Sequence, residues 1–209
     1  DSMQVYRGMD IGSAKSSREE MGGIRHYLVD VLEPEEEFNV VKFQHLAKQA
    51  AEEIYSRNRI PIVVGGTGFY IQALLYDIDF TENDGDMSLR RELERTAEEK
   101  GPEYLHQLLH EVDPQAAAEL HPNNIKRVIR ALEFYRQTGK RISEHNRKER
   151  EKESPYQYAY FVLTDDRSRL YERIDRRVDV MMKEGLLDEV RSLRERGVKR
   201  TCTSMQGLG

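Results

Sequence analysis

Tryptophan is absent from this 209-residue chain, cysteine occurs once, and aromatic residues are limited to 11 Tyr and 6 Phe. A single Cys202 excludes a disulfide framework and a cysteine-built zinc site. No apolar run approaches the ~20 residues of a membrane-spanning helix, and no signal-type segment stands out. A reducing, cytoplasmic setting with no membrane partner is the expectation. The formal charge is −5, from 33 Lys and Arg against 38 Asp and Glu. That balance does not by itself suggest a nucleic-acid partner, but a net charge can hide a local basic patch. What is present is enough Ile, Val and Leu for a core, in a length that suits one or two domains.

The strand and helix signals alternate at first. Tyr27 to Leu32 is β-branched and apolar and reads as a strand, closed by Glu33-Pro34-Glu35-Glu36-Glu37. Phe43, Leu46, Ala47, Ala50, Ala51 and Ile54 then mark one face of an amphipathic helix. Ile60-Pro61-Ile62-Val63-Val64 follows as a short apolar strand that runs into Gly65-Gly66-Thr67-Gly68. This rhythm predicts an α/β core with a parallel sheet. Residues 88–152 carry helical patterns and no strand, with Asp113-Pro114 and His121-Pro122 as breaks. Strand texture returns at residues 158–163. A helix striped by Leu170, Ile174, Val178 and Met181 comes next, and beyond Gly185 a second carries Leu186, Leu187, Val190 and Leu193. The expected organisation is a discontinuous core, residues 1–78 and 155–209, with an all-helical insertion at 79–154.

Several constellations could carry chemistry. The glycine turn at 65–68 ends a buried strand, the edge where open α/β sheets bind ligands. Thr67 adds a hydroxyl there, although an ordinary strand-to-helix turn accounts for the same residues. No Gly-Lys-Ser/Thr follows, so it is not a Walker A loop. Asp1, Ser2 and Gln4 place a carboxylate, a hydroxyl and an amide within four residues; a polar loop is the plain alternative. Residues 126–152 hold ten Lys or Arg and four acids, which suits phosphate neutralisation or simply a solvated helix. Arg191 borders a buried stripe and can fork onto a phosphate or a carboxylate. His106 and His110 have the spacing of a zinc helix but lack its Glu, and Leu105 and Leu109 point to helix packing instead.

Taken together, these segments resemble the bacterial tRNA dimethylallyltransferases (tRNA isopentenyltransferases). Residues 1–15, Asp-Ser-Met-Gln-Val-Tyr-Arg-Gly-Met-Asp-Ile-Gly-Ser-Ala-Lys, are similar to the family signature that follows its phosphate loop. Gly65-Gly66-Thr67-Gly68-Phe69-Tyr70 is similar to a second motif. His121-Pro122-Asn123-Asn124, followed by residues 126–133, is similar to the motif of the helical insertion. Arg177-Val178-Asp179, Met182 and residues 185–190 are similar to a late core motif.

The resemblance implies a P-loop NTPase-like parallel-sheet core that binds dimethylallyl diphosphate, with the phosphate loop itself outside the sequence and the chain a piece of a longer one. It implies transfer of the dimethylallyl group to N6 of the adenine 3′ to the anticodon, with that base taken out of its stack. Asp1 matches the general base, and Ser2, Met3 and Gln4 match an adenine-contacting loop. Thr67 matches a position beside the reacting centre, and Arg191 the group that stabilises the departing diphosphate. Arg90, Lys126, Arg127, Val128, Ile129 and Arg130 match tRNA-contacting positions. Mg²⁺ is implied by the diphosphate leaving group, and a monomer is expected. An adenylate dimethylallyltransferase acting on free nucleotides, a non-catalytic RNA-binding module and a small-molecule P-loop kinase remain open as alternatives.

Overall fold

The computed structural model describes residues 2–80 and 87–207. The chain divides into two compact units, one from residues 1–75 and 156–209 and the other from residues 76–155.

In the first unit, α1 (Val40–Ser56) begins where Asn39 Oδ1 accepts the Lys42 N–H at 3.0 Å, an N-cap that satisfies a donor with no intrahelical partner. The second helix, α2 (Gly68–Leu75), starts directly after the glycine turn. Three rings support it from below: Phe43 stacks on Tyr70 at 5.0 Å, while Phe38 meets Tyr70 at 5.9 Å and Tyr6 at 6.5 Å, both edge-on. Such pairs add to the apolar burial itself. The core of the unit gathers Val5, Tyr6, Met9, Leu32 and Phe38 with Leu193 and Val198 from the far end of the chain.

The second unit is wholly helical among its described residues. Its helices are α3 (Met87–Lys100), α4 (Pro102–Val112), α5 (Pro114–Glu119), α6 (Ile125–Thr138) and α7 (Ile142–Arg150). Leu93, Leu105, Leu109, Ala116, Ala117, Val128, Ile129, Ala131 and Leu132 form its core. His106 spends its Nε2 on the carbonyls of Ala117 and Leu120, 2.9 Å from each, so it serves packing and not a metal.

Asp113 is the buried polar hub of this unit. Its carboxylate caps α5 through the Ala116 N–H and accepts both the Ser143 N–H (2.9 Å) and the Ser143 hydroxyl (2.6 Å). Burial pushes its carboxyl up. The Ser143 and Ala116 bonds and the charge of Arg141 outweigh that and hold it below the usual carboxylate range. A depressed folded-state pKa makes a stabilisation that is complete above the unfolded value and lost as pH falls through the folded one. Asp113→Ala therefore costs the unit about 3 kcal/mol at neutral pH. Asp113→Asn flattens the acid limb of a thermal unfolding series below about pH 4; an unchanged limb removes Asp113 from acid stability.

The first unit resumes with α8 (Arg167–Glu184) and α9 (Leu186–Glu195), and a short 3-10 turn at Thr203–Gln206 follows. Gly185 separates the two helices at φ 103°, a left-handed conformation that a Cβ makes costly. Among the described residues no helix is long and apolar enough to cross a membrane.

The expected strands are not formed among the described residues. Residues 27–32 cannot run as a strand because Leu28 and Asp30 have φ of 58° and 55°. What remains is a single parallel bridge, Tyr6 to Leu32, with the Arg7 N–H donating to the Leu32 carbonyl at 2.9 Å. Residues 60–64 and 158–163 form no strand, and their apolar side chains face solvent: Ile60 is 86%, Val64 80% and Leu163 96% exposed. A strand needs a neighbour that takes its N–H and C=O groups in a continuing ladder, and the described residues build none beyond that bridge.

Candidate active site

The first unit brings the opening loop and the glycine turn together. Thr67 Oγ1 donates to Ser2 Oγ at 3.2 Å across 65 residues of sequence. The Thr67 carbonyl accepts the N–H groups of Tyr70 and Ile71, so the residue starts α2 and its side chain is set by that role. A Cβ placed on Gly66 or Gly68 would meet no atom within 4 Å, which leaves the approach to the turn open. Asp1, the expected base, lies outside the described residues.

Gln4 turns inward on its own loop. Its amide donates to the carbonyls of Ser13 (3.2 Å) and Ala14 (2.9 Å), fixing the bend of residues 4–14. Lys15 is the second clamp. Its side chain is only 6% exposed, and its ammonium donates to the Tyr6 carbonyl (2.8 Å) and to one oxygen each of Asp10 and Asp30 (2.6 Å). Glu189 on α9 is the third, its carboxylate accepting the N–H groups of Asp10, Ile11 and Gly12 at 2.7, 2.8 and 2.9 Å. Three successive amides around one carboxylate make a charge-assisted backbone nest. Met3, Met9, Gly12 and Ser13 from the loop then enclose a cavity of about 60 Å³ with Leu186 and Val190 of α9.

Lys15 and Glu189 both stood inside recognised motifs without a role. The signal for Lys15 is a lysine in a loop with two aspartates, Asp10 and Asp30, nearby in sequence. Nothing in the sequence signals Glu189, because its partners are backbone amides almost 180 residues away. Arg191 also lies on α9, exposed, with its guanidinium on Asp188 at 2.7 Å. A helix-surface ion pair of this kind contributes little to stability and yields readily to another anion.

In the second unit, Lys126 and Arg127 are exposed in the first turn of α6, where no acid accompanies them. Cations there oppose the helix dipole, and local stability does not account for them. They add to the positive end of the helix dipole, a position suited to phosphate. Arg130 is half-buried. Burial lowers its pKa, Glu133 opposes that shift, and Arg90 adds to it. Arg90 forks onto Glu133, with Nε on one oxygen and Nη2 on the other, each at 3.0 Å.

Val128 and Ile129 correct the sequence reading. They are 0% and 3% exposed and belong to the helical core, so they cannot face a ligand. Their neighbours Ile125 and Leu132 complete the i, i+3, i+4, i+7 stripe that requires this. The basic side chains Lys126, Arg127 and Arg130 carry whatever recognition this segment performs. For the implied Mg²⁺, no group of three or more His, Cys, Asp or Glu side chains gathers among the described residues. They do not by themselves build its coordination shell.

A family model described as IPP transferase matches residues 4–209. The tRNA dimethylallyltransferase of Lachnoclostridium phytofermentans is 61% identical over all 209 residues, which cover 67% of that protein. Among solved structures, the full-length tRNA isopentenylpyrophosphate transferase of Bacillus halodurans is 46% identical, with a TM-score of 0.66, across 100% of this chain and 64% of its own. A eukaryotic dimethylallyltransferase acting on tRNA gives a TM-score of 0.83 at 32% identity, across 100% of this chain and 52% of its own. The chain thus spans about two thirds of the length of its curated relatives. With the family model over almost every residue and identity of this order, the chain belongs to the IPP transferase family.

Proposed function

We propose that the protein transfers a dimethylallyl group from dimethylallyl diphosphate to N6 of the adenine 3′ to the anticodon in tRNA. The observation that carries this is the 61% identity, over every residue of the chain, to a tRNA dimethylallyltransferase. The exocyclic amine attacks the allylic carbon, the carbon–oxygen bond to diphosphate breaks, and the amine proton passes to the Asp1 carboxylate. Ser2, Met3 and Gln4 line the adenine side, on a loop held by Lys15 and Glu189. Thr67, in contact with Ser2, orients the reacting groups. Arg191 leaves Asp188 for the departing diphosphate, whose developing charge it stabilises.

Residues 60–64 and 158–163 are taken as strands of a P-loop-like parallel sheet in the full-length protein, with their exposed apolar side chains covered there. Hydrogen exchange on that protein would show their amides protected. Rapid exchange at both segments would refute the sheet. A cytoplasmic monomer completes the proposal.

The basic residues make tRNA the acceptor favoured over a free nucleotide, which has no use for such a surface. Neutralising Lys126, Arg127 and Arg130 together weakens tRNA binding and flattens its log–log salt dependence by roughly 2. An unchanged slope would remove the segment from the tRNA interface. The decisive experiment incubates full-length protein with labelled dimethylallyl diphosphate, Mg²⁺ and either unmodified tRNA or AMP. Label on tRNA alone supports the proposal. Label on AMP indicates an adenylate dimethylallyltransferase, and label on neither, with tRNA bound, a non-catalytic RNA-binding protein.

A further inference from the structure

One acid inside the basic segment does not behave as a surface counterion. Glu133 is 2% exposed, on the face of α6 that packs into the helical core. Burying a carboxylate is costly unless it is paired and hydrogen-bonded, and an apolar residue would join α3 to α6 at lower cost. Leu93 and Leu132 already pack in that core. The ion group is therefore poorly explained by stability.

Its geometry suggests another task. Both Glu133 oxygens are taken by the Arg90 fork, which fixes the plane of that guanidinium. The Arg90 side chain nevertheless stays 37% exposed, so the fixed cation remains within reach of a ligand. Arg130 lies three residues before Glu133 on α6, the spacing of neighbours on a helix surface. One guanidinium is thus fixed by a buried carboxylate, about one turn of α6 away from a second, half-buried arginine.

We infer that Glu133 is a positioning residue for nucleic-acid phosphate, holding the Arg90 guanidinium in a preset orientation on the helical unit. The inference rests on the tRNA reading of this surface. It makes a prediction opposite in sign to that of charge alone. Glu133→Gln adds one positive charge to the patch, which by Coulomb attraction should tighten tRNA binding. A positioning role requires the reverse, a loss of about tenfold in affinity, because the Arg90 side chain must then be ordered on binding.

The test measures the Kd of full-length protein for unmodified tRNA at several salt concentrations, with helicity followed by circular dichroism. Arg90→Lys keeps the charge and removes the fork, and it should weaken binding by a similar factor. Adding Glu133→Gln to Arg90→Lys should then change little, because the two act through one contact. Should Glu133→Gln fail to fold, Arg90→Lys carries the test. Binding by Glu133→Gln or Arg90→Lys that is as tight as in the parent, or tighter, overturns the inference. Failure of the underlying reading looks different: Arg90→Ala and the Lys126/Arg127/Arg130 triple variant would then leave affinity and salt slope alike unchanged.

Discussion

Asp1→Ala, in the full-length protein, should lower the single-turnover rate of dimethylallyl transfer by about 10²- to 10⁴-fold, the usual worth of a positioned general base. The affinity for tRNA should stay within about twofold, because one carboxylate facing a neutral amine adds little to a contact dominated by phosphates. Alkylating an exocyclic amine generates a cation that must lose a proton, and a carboxylate next to the residues proposed to contact adenine can take it. Asp1→Asn keeps the shape and removes the base, so it should be nearly as impaired. Rapid-quench measurement with labelled donor separates the chemical step from product release. A variant that binds tRNA poorly yet transfers normally once saturated would assign Asp1 to binding.

Arg191→Ala should cost about 10²- to 10³-fold in kcat, in line with removal of a group aimed at developing charge. In the structure Arg191 is paired with Asp188 on the same exposed helix face. That contact is weak enough to be exchanged for a diphosphate. Inhibition by added diphosphate should weaken in the variant, since in the proposed mechanism the same group meets substrate, transition state and product. Arg191→Lys should recover only part of the rate, because a point charge replaces a two-pronged fork. Unchanged turnover with normal diphosphate inhibition would leave Arg191 as a surface ion pair.

How far these assignments were legible differs from element to element. The stripe from Phe43 to Ile54 announced α1, and Gly185 announced the break before α9, because both are local patterns. The segment at 27–32 had strand composition yet bends through Leu28 and Asp30, since its pairing with residues 4–7 is a matter of distant contacts. The approach of Thr67 to Ser2 spans 65 residues and became visible only through two family motifs taken together. Val128 and Ile129 show the opposite failure. Their apolar periodicity already placed them in the core, and carrying the motif over as a block concealed it. Glu189 was not legible, because a carboxylate that serves backbone amides leaves no mark on the residues it serves.

The core of the first unit joins Val5, Tyr6 and Met9 to Leu193 and Val198, and the Ser204 hydroxyl closes on the Pro34 carbonyl at 2.6 Å. The helical unit takes its whole core from one uninterrupted stretch. During synthesis on the ribosome this imposes an order of events. The helical unit can collapse as soon as its own residues emerge, through contacts that are short in sequence and quickly made. The segments preceding it must wait, with their apolar side chains uncovered, until the residues after 190 are translated. That interval is when a chaperone has most to offer this chain.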